Sequence, residues 1–195
     1  MPSKPSEVTT APRSARRAEL LAAAARIMGE RGFNSMRLDD VGAAVGISGP
    51  ALYRHFKGKQ ALLAEVLIDI SQRLHDGGHQ VLAQPAAPST TLDRLIAFHI
   101  NFAFTETDLI RIQDREMLNL NADGRTEVAR LQRGYLACWY ATLAQLRPGD
   151  SNDAIRARCR AVVGMINASR HVVDRDVGPS TRDLLPAMCR SALGA

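Results

Sequence analysis

The stretch VGAAVGISGPALYRHFKGK, residues 41–59, decides the fold of this chain. Two short helices that cross closely need a small residue where they meet and a glycine in the turn between them. Gly42 and Gly46 stand in those places, Ser48 suits the N-cap of the second helix, and Pro50 suits its first turn. The apolar residues expected to pack the pair into a core are Val41, Val45, Ile47 and Leu52. This spacing predicts a helix-turn-helix.

The second helix of the motif carries more polar side chains than its packing requires. A helix-turn-helix places this helix in the DNA major groove, where arginine suits a guanine edge and small residues make van der Waals contact with bases. The residues expected to face bases are Gly49, Pro50, Ala51 and Arg54. The residues expected to contact phosphates or assist there are Arg37, Ser48, Tyr53, His55 and Lys59. The residues expected to reach the DNA backbone or the adjacent minor groove are Arg13, Arg16 and Arg17. The alternative is an ordinary helical hairpin with a polar surface.

The charge of the chain is concentrated at one end. Residues 1–60 hold ten Lys or Arg against five Asp or Glu, and this accounts for the whole formal net charge of +5. A basic segment on a neutral body favours a polyanionic partner for that segment. A solvated basic face is the alternative that charge alone leaves open.

The remaining pattern predicts an all-α chain of about nine helices, because apolar residues recur at helical spacing and alternating strand patterns are hard to find. Residues 1–12 are rich in Pro, Ser and Thr and predict an unstructured tail. The expected helices cover about 13–31, 38–45, 48–55, 59–83, 91–105, 108–119, 124–147, 152–172 and 181–193. Gly32 is expected to end the first helix, and Thr90 with Asp93 and Ser180 with Asp183 resemble capping boxes.

The segment MRLDDVGAAVGISGPALYRHFKGKQALL, residues 36–63, resembles the DNA-binding segment of the TetR/AcrR family, and LYRHFKGK is its most specific part. The resemblance covers about residues 15–63. It implies a helix-turn-helix domain over 13–58 and a ligand-binding and dimerisation domain over 59–195. It also implies a bacterial transcription repressor that acts as a cytoplasmic homodimer and is neither an enzyme nor cofactor-dependent. This repressor would bind a palindromic double-stranded DNA operator and be released from it by a small molecule. The resemblance implies two sets of contacts. Bases would be faced by Gly49, Pro50, Ala51 and Arg54, and phosphates by Tyr53, His55 and Lys59. Family members often have Ser or Thr where Met36 and Arg37 stand, so Ser35 is the expected cap.

The expected dimer surface lies on the last two long helices. Small residues recur there at spacings of three and four, which lets another helix approach closely. The expected interface residues are Ala157, Ala161, Gly164, Ala168, Leu184, Leu185 and Met188. The alternative is that both faces pack inside one subunit.

The expected effector site combines aromatic side chains with polar residues set into apolar helices, because buried polar groups need partners. The expected residues are Phe98, Phe102, Gln113, Arg115, Met117, Tyr135, Trp139, Asn167, Arg170 and His171. A weaker resemblance to actinobacterial regulators of acyl-CoA catabolism suggests an acyl-CoA ligand. Its phosphates would meet arginines such as Arg111, Arg115 or Arg170. A lipophilic metabolite is the alternative.

Other chemistries are poorly supported. His75 and His79 have metal-ligand spacing, but the sequence offers no evident third ligand and we expect no metal. The three cysteines are odd in number and widely spaced, which is typical of reduced cytoplasmic thiols. No membrane span is expected. The rival hypotheses are a helical small-molecule-binding or catalytic protein that no longer reads DNA, and a redox sensor switched by Cys138 or Cys159.

Overall fold

The computed structural model describes residues 11–173 and 180–195, and within them every regular element is a helix. The helices are α1 (Ala11–Arg31), α2 (Leu38–Ala44), α3 (Gly49–His55), α4 (Lys59–Ala83), α5 (Pro88–Thr105), α6 (Thr107–Glu116), α7 (Ala122–Leu146), α8 (Asn152–Val173) and α9 (Ser180–Leu193). A 3₁₀ turn over Met117–Asn119 follows α6. The all-α prediction and its helix order are confirmed.

Two boundary predictions need correction, and a third falls largely outside the described residues. Residues 1–10 lie outside the described part of the chain, but α1 begins at Ala11, so the tail prediction is wrong for residues 11–12. Helix α5 begins at Pro88 behind an N-cap at Ala87, so Thr90 is already helical and forms no cap. Proline at the start of a helix loses no hydrogen bond, since that amide has no intrahelical acceptor. The break predicted between α8 and α9 falls largely on residues 174–179, outside the described residues, and α9 begins at Ser180.

The helix-turn-helix forms because two glycines allow backbone positions that other residues disfavour. Gly46 adopts a positive φ of 70° in the turn between α2 and α3. A Cβ atom at Gly42 would lie 3.0 Å from the carbonyl oxygen of Ile47, so the returning chain can pass close to α2 only over a glycine. Val41 and Leu52 are fully buried on either side of the turn. Gly32, with φ 78°, ends α1 as expected.

The start of α2 is capped differently from the prediction. The N-cap residue is Arg37, and its backbone N–H donates to the Asp40 carboxylate at 3.3 Å. Ser35 is exposed and lies two residues before the N-cap, so the expectation that it caps the helix is wrong. The acidic side chain at the third helical position thus satisfies the N-cap amide, which is one half of a capping box.

Helix α4 connects the N-terminal three-helix unit to the body. Its first turns bury Leu62, Leu63 and Val66 toward α1, and its later turns pack most extensively on α7. Helices α5, α7 and α8 complete the body, and α9 packs on α8 and α5. One hydrophobic core therefore runs from Leu20 in α1 to Leu193 in α9. Among the described helices, not one combines the length and the apolar character that crossing a bilayer requires.

Candidate DNA-binding surface and effector cavity

Helix α3 presents most of its polar side chains to solvent. Tyr53 is 57% exposed, Arg54 is exposed, and Leu52 is the buried residue that anchors the helix. Arg54 makes no ion pair with any described residue, so its guanidinium is available for a ligand. The Asp39 carboxylate lies against Gly49, where a Cβ atom would come within 2.8 Å of it. The glycine therefore lets α3 begin close to α2.

The other residues predicted to contact DNA, on α3 and beside it, are exposed or half-buried. Pro50 and Ser48 are exposed, while Ala51 and His55 are half-buried. Arg37 is exposed at the start of α2. Lys57 is also exposed, two residues after the helix. It is not among the residues predicted to contact DNA, although it lies in the KGK segment.

Two of the predicted arginines make contacts within the protein. Arg16 donates from Nη2 to the Val45 carbonyl oxygen at 2.7 Å and pairs with Glu19. Arg17 pairs with Glu65 on α4, and its guanidinium lies 5.2 Å from the centre of the Phe56 ring. These contacts hold α1 against α2 and α4. The side chain of Arg13 lies outside the described residues.

Lys59 is likewise held inside the domain. Its Nζ donates to the Asn34 carbonyl oxygen at 2.8 Å and lies 4.6 Å from the centre of the Phe33 ring. The contact ties the α1–α2 loop to the start of α4. The structure therefore gives Lys59 a bracing role that the sequence did not reveal, because its partner is a backbone carbonyl 25 residues away.

A cavity of about 140 Å³ lies in the body, between α4, α5, α6, α7 and α8. Its polar lining residues are Ser71, His99, Gln113, Gln132, Tyr135 and Asn167. Its apolar lining residues are Leu74, Ile110, Leu136 and Val163. Three predicted effector-site residues, Gln113, Tyr135 and Asn167, are brought together here. The sequence analysis missed His99, whose only signal was a polar residue inside the apolar run of α5.

A hydrogen-bonded chain crosses one wall of the cavity. The Asn167 Oδ1 atom lies 3.1 Å from His99 Nε2, and the Tyr135 hydroxyl lies 2.9 Å from His99 Nδ1. Burial lowers the pKa of His99 from 6.5 to about 4 and raises the pKa of Tyr135 above its ordinary value. Both side chains are therefore neutral at physiological pH. A neutral imidazole that donates from Nε2 to Asn167 accepts at Nδ1 from Tyr135, so the network assigns the tautomer.

The remaining predicted effector residues lie in several places. Phe98 and Trp139 pack edge-on against Tyr135, with ring centroids 6.3 and 6.4 Å away. Phe102 is buried beside Phe98, under the Arg73 guanidinium. Arg115 is exposed, and Met117 is half-buried in the 3₁₀ turn. The side chains of Arg170 and His171 lie outside the described residues.

Two consecutive glycines on α4 receive the aromatic rings of this region. A Cβ atom at Gly77 would lie 2.1 Å from Phe98 Cζ, and one at Gly78 would lie 2.8 Å from Tyr135 Cδ2. The rings therefore rest against the backbone of α4. Local sequence gives no signal of this packing, since the rings come from α5 and α7.

Helix α6 joins the cavity to the helix-turn-helix domain. Its Ile110 and Gln113 side chains line the cavity. Its last residue, Glu116, is buried and accepts a hydrogen bond from the backbone N–H of Phe33 at 3.2 Å. Near its start, the Asp108 side chain packs so closely on Gly29 of α1 that a Cβ atom there would come within 2.8 Å. The helix is thus fixed to α1 and to the loop before α2.

A larger groove of about 640 Å³ lies between α1, α4 and the α5–α6 junction. Five charged residues are among those that line it, and two of them, Arg73 and Glu106, form an ion pair. Burial raises the pKa of the Asp69 carboxyl in this groove, although Arg73 acts in the opposite direction. Small-molecule sites are mostly apolar with a few convergent polar groups. The two sites differ in charge: five charged residues line the groove, and none of the described residues that line the cavity between α4 and α8 is charged at neutral pH.

Helices α8 and α9 expose a small and apolar face. Ala157, Ala161, Gly164 and Ala168 are exposed on α8. Leu184 and Met188 of α9 are 58% and 47% exposed. A Cβ atom at Gly164 would meet open space. Leu185 is fully buried within the chain, so its assignment to the interface is wrong and it belongs to the core.

The histidine and cysteine candidates have ordinary structural surroundings. The His75 and His79 rings lie 4.3 Å apart, and His75 packs against Gly134. All three cysteines are buried, and burial raises the pKa of Cys159 to about 12 and of Cys189 to about 11. A protonated, buried thiol reacts slowly with oxidants, which argues against the redox-sensor hypothesis.

The exposed α3, the glycine turn and the helical body define a helix-turn-helix protein with a C-terminal helical domain. Residues 20–66 match the family described as "Bacterial regulatory proteins, tetR family". This match makes residues 20–66 a DNA-binding domain of the TetR type.

The relatives of this chain include a named repressor and solved TetR-type structures. The chain is 27% identical over 135 residues to the HTH-type transcriptional repressor KstR2 of Rhodococcus jostii, a match covering 69% of this chain and 66% of that protein. The matches span between 32% and 66% of the lengths of the first curated relatives. A TetR-family regulator from Bordetella parapertussis shares the fold with a TM-score of 0.78 at 22% identity, over 91% of this chain and 94% of that one. The regulator FadR of Bacillus subtilis, solved in complex with stearoyl-CoA, gives a TM-score of 0.69 at 16% identity, over 91% and 95%. At these identities the two structures establish the fold.

Proposed function

We propose that the chain is a dimeric transcriptional repressor that binds a palindromic operator through α3 and is released by a small molecule. The exposed and unpaired α3 surface, on the one basic segment of the chain, is the observation that carries this proposal. The similarity to a protein named as a transcriptional repressor supports repression over activation.

The DNA-binding role is tested by fluorescence-anisotropy titration against the DNA upstream of the chain's own reading frame, at several salt concentrations. Arg54→Ala is expected to weaken operator binding by about 1–3 kcal/mol and to relax sequence preference, because Arg54 faces a base. Tyr53→Ala is expected to weaken binding to all sequences by about 1 kcal/mol or more. Lys57→Ala is expected to reduce the salt slope by about one, since its exposed ammonium is free for a phosphate.

The matched control is Arg133→Ala, which also removes one positive charge but from an exposed position on α7. Its operator affinity and salt slope should equal those of the unmodified protein. Wild-type operator affinity in Arg54→Ala would show that α3 does not read DNA. Equal binding to the operator and to a scrambled duplex would favour the rival hypothesis of a ligand-binding protein that no longer reads DNA.

Dimerisation through α8 and α9 is supported by their exposed small-residue stripe and by the exposed Leu184 and Met188. Two helices from each subunit would form a four-helix interface that covers these side chains. Ala161→Glu is expected to give a folded monomer in sedimentation analysis, because it places an uncompensated charge in the interface. Ala137→Glu, on an exposed face of α7, is the control and should remain dimeric.

Effector release is assigned to the cavity between α4 and α8. A ligand there would touch Tyr135, whose ring rests on Gly78 of α4, and Gln113 of α6. Both helices continue to the helix-turn-helix domain, α4 directly and α6 through the Glu116–Phe33 hydrogen bond. A shift of either helix would alter the separation of the two α3 helices in the dimer. Operator affinity would then fall, because the two α3 helices could no longer bind both half-sites at the same time.

Of the two effector classes that the sequence leaves open, the cavity favours a lipophilic metabolite over an acyl-CoA. No described arginine or lysine lines the cavity to meet CoA phosphates. Arg111 is engaged with Asp108 and the Gly29 carbonyl oxygen, and Arg115 is exposed. Release of operator DNA is measured by adding a panel of lipophilic compounds and acyl-CoAs to the anisotropy assay. Release by acyl-CoAs alone would overturn this choice.

A further inference from the structure

We propose that Asp39 selects cytosine at one base pair in each half-site of the operator. This inference rests on the proposed function, since it adds a specificity-determining residue to the same DNA-binding surface. Two observations carry it. The Asp39 carboxylate lies beside the base-facing end of α3, and it makes no ion pair with any described residue.

Asp39 and Asp40 are consecutive acids on α2 with different surroundings. The Asp40 carboxylate accepts from the Arg37 backbone N–H at 3.3 Å and lies 3.7 Å from a guanidinium nitrogen of Arg31. Asp39 is exposed, and its carboxylate makes neither a hydrogen bond nor an ion pair within the part of the chain that the structure describes. The domain therefore uses Asp40 for its own structure, and the charge of Asp39 is available to a ligand.

The Asp39 side chain lies beside the first residues of α3. A Cβ atom at Gly49, where α3 begins, would come within 2.8 Å of the Asp39 Oδ1 atom. In a helix-turn-helix, the N-terminal residues of the second helix are those that contact base edges. Gly49 and Pro50 hold these places and offer no polar side chain to a base. The Asp39 carboxylate is therefore placed to supply a polar contact beside them.

A carboxylate on this surface selects among bases by their hydrogen-bonding groups. An ionised carboxylate only accepts hydrogen bonds. In the major groove, cytosine presents an amino donor, whereas guanine presents two acceptors and thymine an acceptor and a methyl group. Adenine presents an amino donor next to the N7 acceptor, which repels a carboxylate. Cytosine is therefore the base that Asp39 favours.

The same charge weakens binding to other DNA. Two negative charges about 5–8 Å apart in water repel each other enough to lower a binding constant about twofold to fourfold. A sequence without cytosine beside Asp39 brings the phosphates close to this charge and supplies no hydrogen bond in return. Asp39 thus contributes specificity by disfavouring the wrong sequences, while the basic residues of the surface attract all DNA.

The test selects bound sequences from a random duplex library with the full chain and compares the wild-type protein with Asp39→Asn. An asparagine side chain has both a donor and an acceptor, which match the two groups of adenine. The wild-type protein is expected to enrich a palindrome with cytosine at one position of each half-site, and Asp39→Asn to enrich adenine there. In anisotropy titrations, each protein should prefer its own base by at least about fivefold. Asp39→Asn should also bind a scrambled duplex about twofold to fourfold more tightly than the wild-type protein.

The matched control is Asp153→Asn, which removes a negative charge from a side chain that is 94% exposed at the start of α8. This variant should enrich the wild-type sequence and bind the scrambled duplex with wild-type affinity. Urea titration of Asp39→Asn separates base recognition from a structural role. If Asp39 only stabilised the start of α3, the variant would unfold at lower urea concentration and bind every sequence more weakly with an unchanged base preference. That result would refute the inference.

Two further results would overturn the inference and leave the repressor function standing. One is an enriched palindrome that is the same for both proteins. The other is a wild-type preference for a base other than cytosine at the position that responds to Asp39→Asn. If the wild-type protein enriched no sequence at all, the proposed DNA-binding function would itself be refuted, and Asp39 would have no base to select.

Discussion

Replacing Glu116 with alanine should loosen the junction between the helix-turn-helix domain and the body. The Glu116 carboxylate is buried at the end of α6, where it accepts from the Phe33 backbone N–H at 3.2 Å and from Asn119 Nδ2 at 2.7 Å. Phe33 is also the ring over which Lys59 lies. One side chain therefore joins the loop after α1 to the helix that lines the cavity.

The magnitude follows from the groups left without partners. Removing the carboxylate leaves the buried Phe33 N–H without its acceptor, at a cost of about 1–3 kcal/mol. Local opening that exposes this amide becomes easier by the same amount, so its hydrogen exchange should accelerate by about tenfold to a hundredfold. Glu116→Gln keeps an amide oxygen for the Phe33 N–H and should retain most of the protection.

The measurement is amide hydrogen exchange of the free protein, followed at Phe33 by NMR. Glu30→Ala is the control, because Glu30 is an exposed glutamate whose ion pair with Arg26 spans 3.1 Å. An exposed pair of this kind contributes about 0–1 kcal/mol, so Phe33 exchange should not change in the control. Unaltered exchange at Phe33 in Glu116→Ala would refute the role of Glu116 as the tie between the domains.

Three further predictions concern the body. Gly78→Ala should lower the free energy of unfolding, measured by urea titration, by about 1–2 kcal/mol. The added Cβ atom would lie 2.8 Å from Tyr135 Cδ2, and the resulting strain exceeds the gain in helix propensity. A more stable variant would contradict this packing. Burial holds the pKa of His99 near 4 against 6.5 when exposed, so the unfolded state takes up the proton first. The free energy of unfolding, measured by urea titration at each pH, should therefore fall by about 3 kcal/mol as the pH drops from 6.5 to 4. It should fall less steeply in His99→Gln. Parallel pH profiles of the two proteins would contradict a neutral His99. Cys159, whose pKa is raised to about 12, should react with a thiol reagent only at the rate of unfolding, and rapid labelling of the native protein would restore the redox hypothesis.

Local patterns made the helix-turn-helix predictable. Gly46 adopts the positive φ that the turn requires, and Gly42 lies where the chain passes too close for a Cβ atom. The exposed small residues on α8 also agree with the sequence pattern, because exposure of a helical face follows its periodicity. Leu185 shows the limit of such patterns, since its apolar character fits a core and an interface equally and packing placed it in the core.

The contacts that link the two parts of the molecule were not predictable in the same way. Arg16, Arg17 and Lys59 have the charge that DNA contact requires, and only the positions of Val45, Glu65 and Asn34 show that they brace the domain.

Local sequence patterns specify the all-α class, the helix-turn-helix and the basic end of the chain. The physical reason is that glycine turns, caps and apolar stripes act over a few residues. Long-range packing, in contrast, brings His99 to Tyr135 and Asn167, and Glu116 to an amide 83 residues away. Such contacts depend on how helices cross, and helical periodicity specifies which face is buried but not which residues of another helix lie opposite.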